Sequence, residues 1–350
     1  MRSFPSFFAL VLIALCATPA LAQKIISPVL PGGDSKAPVS IDAAKLEYFD
    51  KEQKLVYSGG VVAKQGDAVL KSTTLVIFLN SGAAQIGPAV GSAWQIRATG
   101  DFNGDGKSDF LFQNTNDGAC YVWGVNGLKI DGGGSGLVGP AVGAGWQIKA
   151  TGDFDGDGKS DFLFQNTSSG ACYVWEMNGL TISNSAMVGP AVGAAWQIKT
   201  TGDFNGDGKS DFVFQNVNDG ACFIWEMEGL KIAGGALVGP AVGAAWQIKA
   251  TGDFNGDGKS DLLFQNANDG ACYIWEMDGL NIVDGGLVGP AVGTDWRVKG
   301  ATDANGDGKS DILFQNASSG ACFVWEMDGL NISDFGQIGP AVGADWLVRA

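Results

Sequence analysis

Five near-copies of one sixteen-residue stretch constrain this chain more than any other feature. TGDFNGDGKSDFLFQN runs from Thr99 to Asn114, returns from Thr151, Thr201 and Thr251, and closes as ATDANGDGKSDILFQN from Ala301. The copies start 52, 50, 50 and 50 residues apart. A fixed period of that length implies one supersecondary unit repeated, each unit burying its faces against its neighbours.

The unit is legible from Gly239 to Val288. Trp246 to Ala250 alternates apolar and polar residues, which predicts a strand before the loop, and Leu262 to Gln265 predicts one after it. Asn268-Asp269-Gly270 is a turn, Ala271 to Met277 a third strand, Asp278-Gly279 a hairpin turn, and Leu280 to Val288 a fourth strand. Four strands in fifty residues is the content of one propeller blade. GPAVG, two further residues and then Trp occurs six times, ending at Trp94, Trp146, Trp196, Trp246, Trp296 and Trp346, against five loops. Three arrangements stay open: five blades, six with a composite blade completed by strands from Thr74 to Val90, or an open array. The 54 glycines fall at fixed places in the repeat, so they are turns rather than low complexity.

Each loop carries oxygen ligands at alternate positions. Positions one, three, five and nine are Asp101, Asn103, Asp105 and Asp109; Asp153, Asp155, Asp157 and Asp161; Asp203, Asn205, Asp207 and Asp211; Asp253, Asn255, Asp257 and Asp261; Asp303, Asn305, Asp307 and Asp311. Position seven is Lys107, Lys159, Lys209, Lys259 or Lys309, which offers its backbone carbonyl, and the glycine at six permits the sharp turn. Hard oxygens without His or Cys select calcium over zinc, and magnesium demands a tighter octahedron. Up to five calcium ions are expected, one per repeat. An EF-hand would place Glu at position twelve, between helices; Phe112, Phe164, Phe214, Phe264 and Phe314 stand there, inside strands, so that motif is excluded.

The loop pattern Asp-x-[Asp/Asn]-x-Asp-Gly-x-x-Asp, with strands on both sides, resembles the FG-GAP/VCBS repeat family across residues 84–350. The resemblance implies a calcium-stabilised β-propeller similar to the integrin head, with loops that are mainly structural. Further upstream, Ile41-Asp42-Ala43, Leu46-Glu47-Tyr48, Tyr57 to Val62, Gln65-Gly66-Asp67 and Leu70 to Leu79 resemble the start of the OstA/LptA-like N-terminal domain. Apolar alternation in Val39 to Asn80, with turn signals at Asp50-Lys51-Glu52 and Gln65-Gly66-Asp67, predicts three or four short strands. The likeness covers residues 39–80, about forty residues, and implies a link to a family that carries lipopolysaccharide across the periplasm on an open β-jelly-roll. A jelly-roll so truncated cannot form the whole lipid groove, so the likeness supports an envelope address more than a transport activity.

The chain opens with Arg2, an apolar run from Phe7 to about Ala17, and Ala20-Leu21-Ala22 before Gln23. Residues 1–22 have the form of a secretory signal, too short for a transmembrane span, and 23–38 that of a Pro/Gly/Ser-rich linker. Leu15 before Cys16 does not fit a lipoprotein signal. The expected location is therefore periplasmic, cell-surface or secreted.

The formal charge of −15 has a local source, since the five loops hold sixteen Asp against five Lys, and no basic patch supports nucleic-acid binding. The absence of histidine removes Ser-His and Cys-His pairs and His-ligated metals. Glu176, Glu226, Glu276 and Glu326 recur by repeat and suggest a solvated strand face rather than catalysis. Cys120, Cys172, Cys222, Cys272 and Cys322 sit inside apolar strands and are expected as buried free thiols; a disulfide ladder would need Cα atoms within about 7 Å across blades. Two tryptophans per repeat are expected in blade cores, with sugar stacking as the other use.

The expectation is thus an all-β protein: a β-propeller of five calcium-loop repeats preceded by a short OstA/LptA-like β segment. Its function is expected to be non-catalytic, an interaction or adhesion module with a protein or glycan ligand. Alternatives are a propeller lectin and an accessory of lipopolysaccharide transport.

Overall fold

The computed structural model describes residues 39–49, 54–65, 68–78, 90–127, 129–343 and 348. The expected signal and linker, and Trp346, lie outside the described residues. The chain divides into two compact units, Met1–Gln85 and Ile86–Ala350. Every element among the described residues is a strand.

The first unit holds β1 (Val39–Asp42), β2 (Lys45–Phe49), β3 (Lys54–Gln65) and β4 (Ala68–Phe78) in one antiparallel sheet. The long β3 pairs with β1 and β2 along one edge and with β4 along the other. Gly59 and Gly60 fall where the β3–β4 register shifts, between Ser58 and Val61, and beyond that shift Val61 and Ala63 are buried. Thr74 to Phe78 belong to this sheet, Thr74 opposite Ser58 and Phe78 opposite Lys54. The rest of the stretch considered for a composite sixth blade, residues 79–89, lies outside the described residues.

The second unit is a five-bladed β-propeller. Blade one is β5 (Trp94–Gly100), β6 (Asp109–Asn114), β7 (Cys120–Asn126) and β8 (Lys129–Val138). Blade two is β9 (Trp146–Gly152), β10 (Asp161–Asn166), β11 (Cys172–Asn178) and β12 (Thr181–Val188). Blade three is β13 (Trp196–Gly202), β14 (Asp211–Asn216), β15 (Cys222–Glu228) and β16 (Lys231–Val238). Blade four is β17 (Trp246–Gly252), β18 (Asp261–Asn266), β19 (Cys272–Asp278) and β20 (Asn281–Val288). Blade five is β21 (Trp296–Thr302), β22 (Asp311–Asn316), β23 (Cys322–Asp328) and β24 (Asn331–Ile338). Each is an antiparallel meander in chain order.

The run DFLFQN has no polar face because both faces of a blade are buried. In blade two, Phe162, Phe164, Trp175 and Met177 pack against blade one, where they meet Phe102, Leu111, Cys120 and Val122. Leu163, Cys172, Val174 and Val188 point the other way, onto Phe212, Phe214 and Trp225 of blade three. The same cluster repeats between blades three and four and between four and five. At roughly 1.5–3 kcal/mol for each fully buried large apolar side chain, these faces hold the array together.

Two polar devices fix the spacing of the blades. The buried Gln113 amide donates to the Trp146 carbonyl at 2.9 Å and accepts from Ile148 N–H at 3.0 Å, so one side chain pairs with the next blade's innermost strand as a backbone would. Gln165, Gln215 and Gln265 repeat both bonds, and Gln315 accepts from Val348 N–H at 3.0 Å. Further along, Thr151, Thr201 and Thr251 hydroxyls donate to the carbonyls of Thr99, Thr151 and Thr201.

The faces at the two ends of the array are less covered. Val288 is fully buried, whereas its counterpart Ile338 in blade five is 52 % exposed; Ile148 is 3 % exposed and its blade-one counterpart Ile96 39 %. Val348 N–H donates to the Gln315 amide oxygen of blade five, at the place where Ile148, Ile198, Ile248 and Val298 meet the preceding blades.

Candidate metal centre

Each loop crosses from the innermost strand of its blade to the second strand, and its carboxylates organise the crossing. In loop two, Asp153 Oδ1 accepts from Gly156 N–H at 2.7 Å and Asp157 N–H at 3.1 Å, while Oδ2 accepts from Gly158 N–H at 2.8 Å. Asp155 Oδ1 accepts from Asp157 N–H, and Asp157 Oδ1 from Lys159 N–H. Loops one, three, four and five repeat these bonds, with Asn at position three. Gly156 and Gly158 hold φ of 80° and 83°, a left-handed turn that a side chain would strain, so the acidic groups alternate with glycine for a steric reason.

Position nine closes the site from below. Asp109, Asp161, Asp211, Asp261 and Asp311 are at most 1 % exposed. The two oxygens of Asp161 accept from Met177 N–H at 2.7 Å and Phe154 N–H at 2.9 Å, which ties the third strand and the loop to one carboxylate. Burial pushes the Asp161, Asp211 and Asp261 carboxyls up to about 7, against the pull of two backbone donors, and other carboxylates beside them add to the rise. Asp109 is raised for the same leading reason. Asp155 is also raised, by burial first and then by Asp157 and Asp153.

Oxygens of Asp153, Asp155 and Asp161 lie within 4.8 Å of one another. Crowded carboxylates, one wholly buried, carry a cost that a divalent cation between them would offset. The donor set is all oxygen, and the loop turns as tightly as a small hard ion requires, so these residues fit such an ion.

The loops also join blade to blade, which the spacing did not reveal. Ser160 N–H donates to the Asp101 carbonyl at 2.7 Å, and Gly179 N–H to the Phe102 carbonyl at 2.9 Å, so loop one is bonded to both the loop and the hairpin of blade two. Ser210, Ser260 and Ser310 repeat the first bond, and Gly229, Gly279 and Gly329 the second. A Cβ on Gly152 would lie 2.6 Å from Ser210, and this approach explains the glycine two residues before Phe154. The Lys159 stem lies over Gly104 of the preceding loop, and Lys209, Lys259 and Lys309 repeat the contact. Lys107 and Lys159 reach the Asp at position five of their own loops, at 3.1 and 2.8 Å, whereas Lys209, Lys259 and Lys309 pair with Glu228, Asp278 and Asp328 at the hairpins.

Of the recurring glutamates, Glu176 is buried and so departs from the expected solvated face, while Glu226, Glu276 and Glu326 are half-buried. Glu176 is 6 % exposed, its Oε1 lies beside Gly229 of the next blade, and burial raises its carboxyl, with Asp155 and Asp157 adding. Glu226 and Glu276 take the equivalent place beside Gly279 and Gly329, and both carboxyls are raised by burial. Strand alternation hid this, because the covering residue comes from another blade.

The five thiols are free; Cys120, Cys172, Cys222 and Cys272 are buried, and burial pushes them up to about 12. The second tryptophan of each repeat divides by position: Trp175, Trp225, Trp275 and Trp325 are core, at 4–5 % exposure, and Trp123 of blade one is half-buried. The first of each pair is half-buried, Trp146 standing edge-on to Tyr173 at 6.1 Å, which corrects the expectation of core for both. Asn166 serves a turn, accepting from Ser168 N–H at 3.1 Å.

Residues 153–214 and 253–314 match the family of FG-GAP-like repeats, each match running from position one of one loop to position twelve of the next. Residues 40–118 match a family described as LptA/(LptD N-terminal domain) LPS transport protein. The second match passes through the first loop, although the structure places everything after Gln85 in the propeller unit. No curated protein matches the chain. Among solved structures, the Tc holotoxin pore of Photorhabdus luminescens aligns at 14 % identity over 79 % of this chain, with a TM-score of 0.41; the chain spans 14 % of that protein. A chain of a nidogen/laminin complex aligns at 8 % identity over 85 % of this chain and 93 % of its own, with a TM-score of 0.45. Both likenesses are too loose to bear on function.

Proposed function

We propose that this chain of FG-GAP-like repeats is a non-catalytic interaction module of the bacterial cell envelope, in which each loop holds one calcium ion as a fastener between blades. The observation that carries the reading is the convergence of Asp153, Asp155 and buried Asp161 on a loop that is itself hydrogen-bonded to the next blade. Side chains at positions one, three, five and nine would hold the ion, with the carbonyl at seven. The bound ion would supply charge neutralisation, so that the buried Asp stays ionised and the loop keeps the shape that meets Ser210 or its equivalent. Repeats of this family are typically calcium-binding, and the match at residues 40–118 supports an envelope setting reached through a signal at 1–22. No helix among the described residues is long and apolar enough to cross a membrane. The partner is a protein or glycan, bound on the blade surfaces that the loops hold in place.

Thermal melts of the full chain test this. Calcium is expected to raise the midpoint and a chelator to lower it, because an ion that binds only the folded state stabilises by mass action. Calorimetric titration should give up to five ions per chain. A melt indifferent to calcium would sink the proposal.

A glycan ligand is favoured by one observation: an open pocket of about 460 Å³ is walled by Trp296, Phe323, Trp325 and Phe335, with Ser333 and Asp334 at hand for hydroxyls. Binding on a glycan array that is lost in Trp296→Ala supports this reading, and silence across the array assigns the surface to protein partners.

A further inference from the structure

All five innermost strands depart from regular pairing at the same residue. Ile148 lies opposite Phe164 and Ala150 opposite Leu163, so the register steps over Lys149 in a bulge. The same bulge falls on Arg97, Lys199, Lys249 and Lys299. A bulge re-aims the side chain it carries, and here that residue is a cation in every blade.

These strands run side by side around the propeller axis, as the hydroxyl bonds from Thr151 to Thr99, Thr201 to Thr151 and Thr251 to Thr201 show. The five cations therefore occupy one level of the axis. Arg297 adds a sixth at the position where the middle blades have Gln147, Gln197 and Gln247. Lys149, Lys199 and Lys249 each donate to the amide oxygen of the glutamine two residues earlier, at 3.0, 3.3 and 2.8 Å. Burial lowers all three ammonium groups, and neighbouring cations lower Lys149 and Lys249 further: Arg97 and Lys199 act on Lys149, while Lys199, Arg297 and Lys299 act on Lys249. Like charges gathered on one level of a chain with net charge −15 are a local inversion of its electrostatics, and an anion placed among them would be attracted by several at once.

We propose that the bulged cations Arg97, Lys149, Lys199, Lys249 and Lys299 form an axial binding site for a soluble multivalent oxyanion, such as a small molecule bearing several sulfate, phosphate or carboxylate groups. The site is separate from the cation loops and independent of what they hold. Multivalency follows from the arrangement, since one bulged cation per blade presents charges in an arc that no single monovalent ion can neutralise. The strands that carry these cations each lie beside the innermost strand of a neighbouring blade, and charges gathered among adjacent strands suit a free solute rather than a lipid surface.

The test uses the calcium-loaded full chain and naphthalene trisulfonate, a fluorescent polyanion that chelates calcium weakly. Saturable binding is expected. It should weaken by about tenfold or more in Lys149→Gln/Lys199→Gln/Lys249→Gln. It should stay unchanged in Lys71→Gln/Lys129→Gln/Lys231→Gln, which removes equal charge from exposed positions on strands other than the five innermost ones. Replacing the three axial lysines by Arg should retain binding, and this variant keeps the question answerable if the Gln variant fails to fold. No binding by the parent, equal losses in the axial and exposed triples, or an axial triple that binds as the parent does would each overturn the proposal. Phosphatidylglycerol vesicles form the second arm: capture of vesicles that depends on the axial lysines, without competition by the trisulfonate, would assign the cations to a lipid headgroup and overturn the soluble ligand.

Discussion

Asp161 and its equivalents show how one residue type serves two ends. The carboxylate binds two backbone N–H groups that would otherwise be unpaired in the core, and it faces the loop acids that crowd it. Its folded-state pKa, about 7, lies above the ordinary 3.8, so the protonated form is favoured by folding. That contribution is complete below the unfolded value and is lost as pH rises through the folded one. In chelator, the parent should therefore lose stability between about pH 4 and about pH 7 relative to Asp161→Asn/Asp211→Asn/Asp261→Asn, whose amides do not titrate. Calcium should remove that loss in the parent, and parallel melting curves for the two proteins would contradict the account. The thiols carry a second residue-scale prediction. Cys120, Cys172, Cys222 and Cys272, raised to about 12, should resist a disulfide exchange reagent near pH 8 until the chain is unfolded, while half-buried Cys322 should react first.

At the scale of the element, the second strand of each blade does most to position the others. Its alternate residues feed two interfaces, its first residue is the buried Asp, and its fifth is the Gln that bonds the next blade. Gln265→Leu would leave Trp296 C=O and Val298 N–H without their partners at 2.9 and 3.0 Å. A loss of about 1–3 kcal/mol for a buried group left unpaired is expected in denaturant unfolding. Gln265→Glu keeps the acceptor for Val298 N–H but sets a charge against the Trp296 carbonyl, so it should recover little. A Leu variant as stable as the parent would show that the bridge contributes nothing net.

The whole molecule is a series of nearest-neighbour interfaces. Each apolar cluster joins two consecutive blades, and the loop, Gln and Thr bonds do the same. In such an array stability is close to a sum of units and interfaces. A chain ending at Val288 should consequently keep blades one to four folded, with β-sheet circular dichroism retained and a lower melting midpoint from loss of the interface around Phe254, Ile312 and Trp325. Complete unfolding of that chain would show that the fifth blade is needed for the other four.

The repeat period, the four strands of each blade, the loop acids and the impossibility of an EF-hand are all legible in the sequence, because each depends on residues close together in the chain and is repeated five times. Gly156 and Gly158 mark the loop turn as plainly as the acids do. What the sequence could not show comes from atoms well separated in the chain: that Ser160 bonds to the previous loop, that Glu176 is covered by the next blade, and that Thr74 to Phe78 pair with β3. The bulge under Lys149 belongs to the same group, since WQIKATG alternates as a regular strand would until its partner's register is known. Local pattern determines the blade, because strand period and turn chemistry act within a few residues. Contact between blades decides which polar groups are buried and which cations meet, because cover and charge neighbours come from elsewhere in the chain.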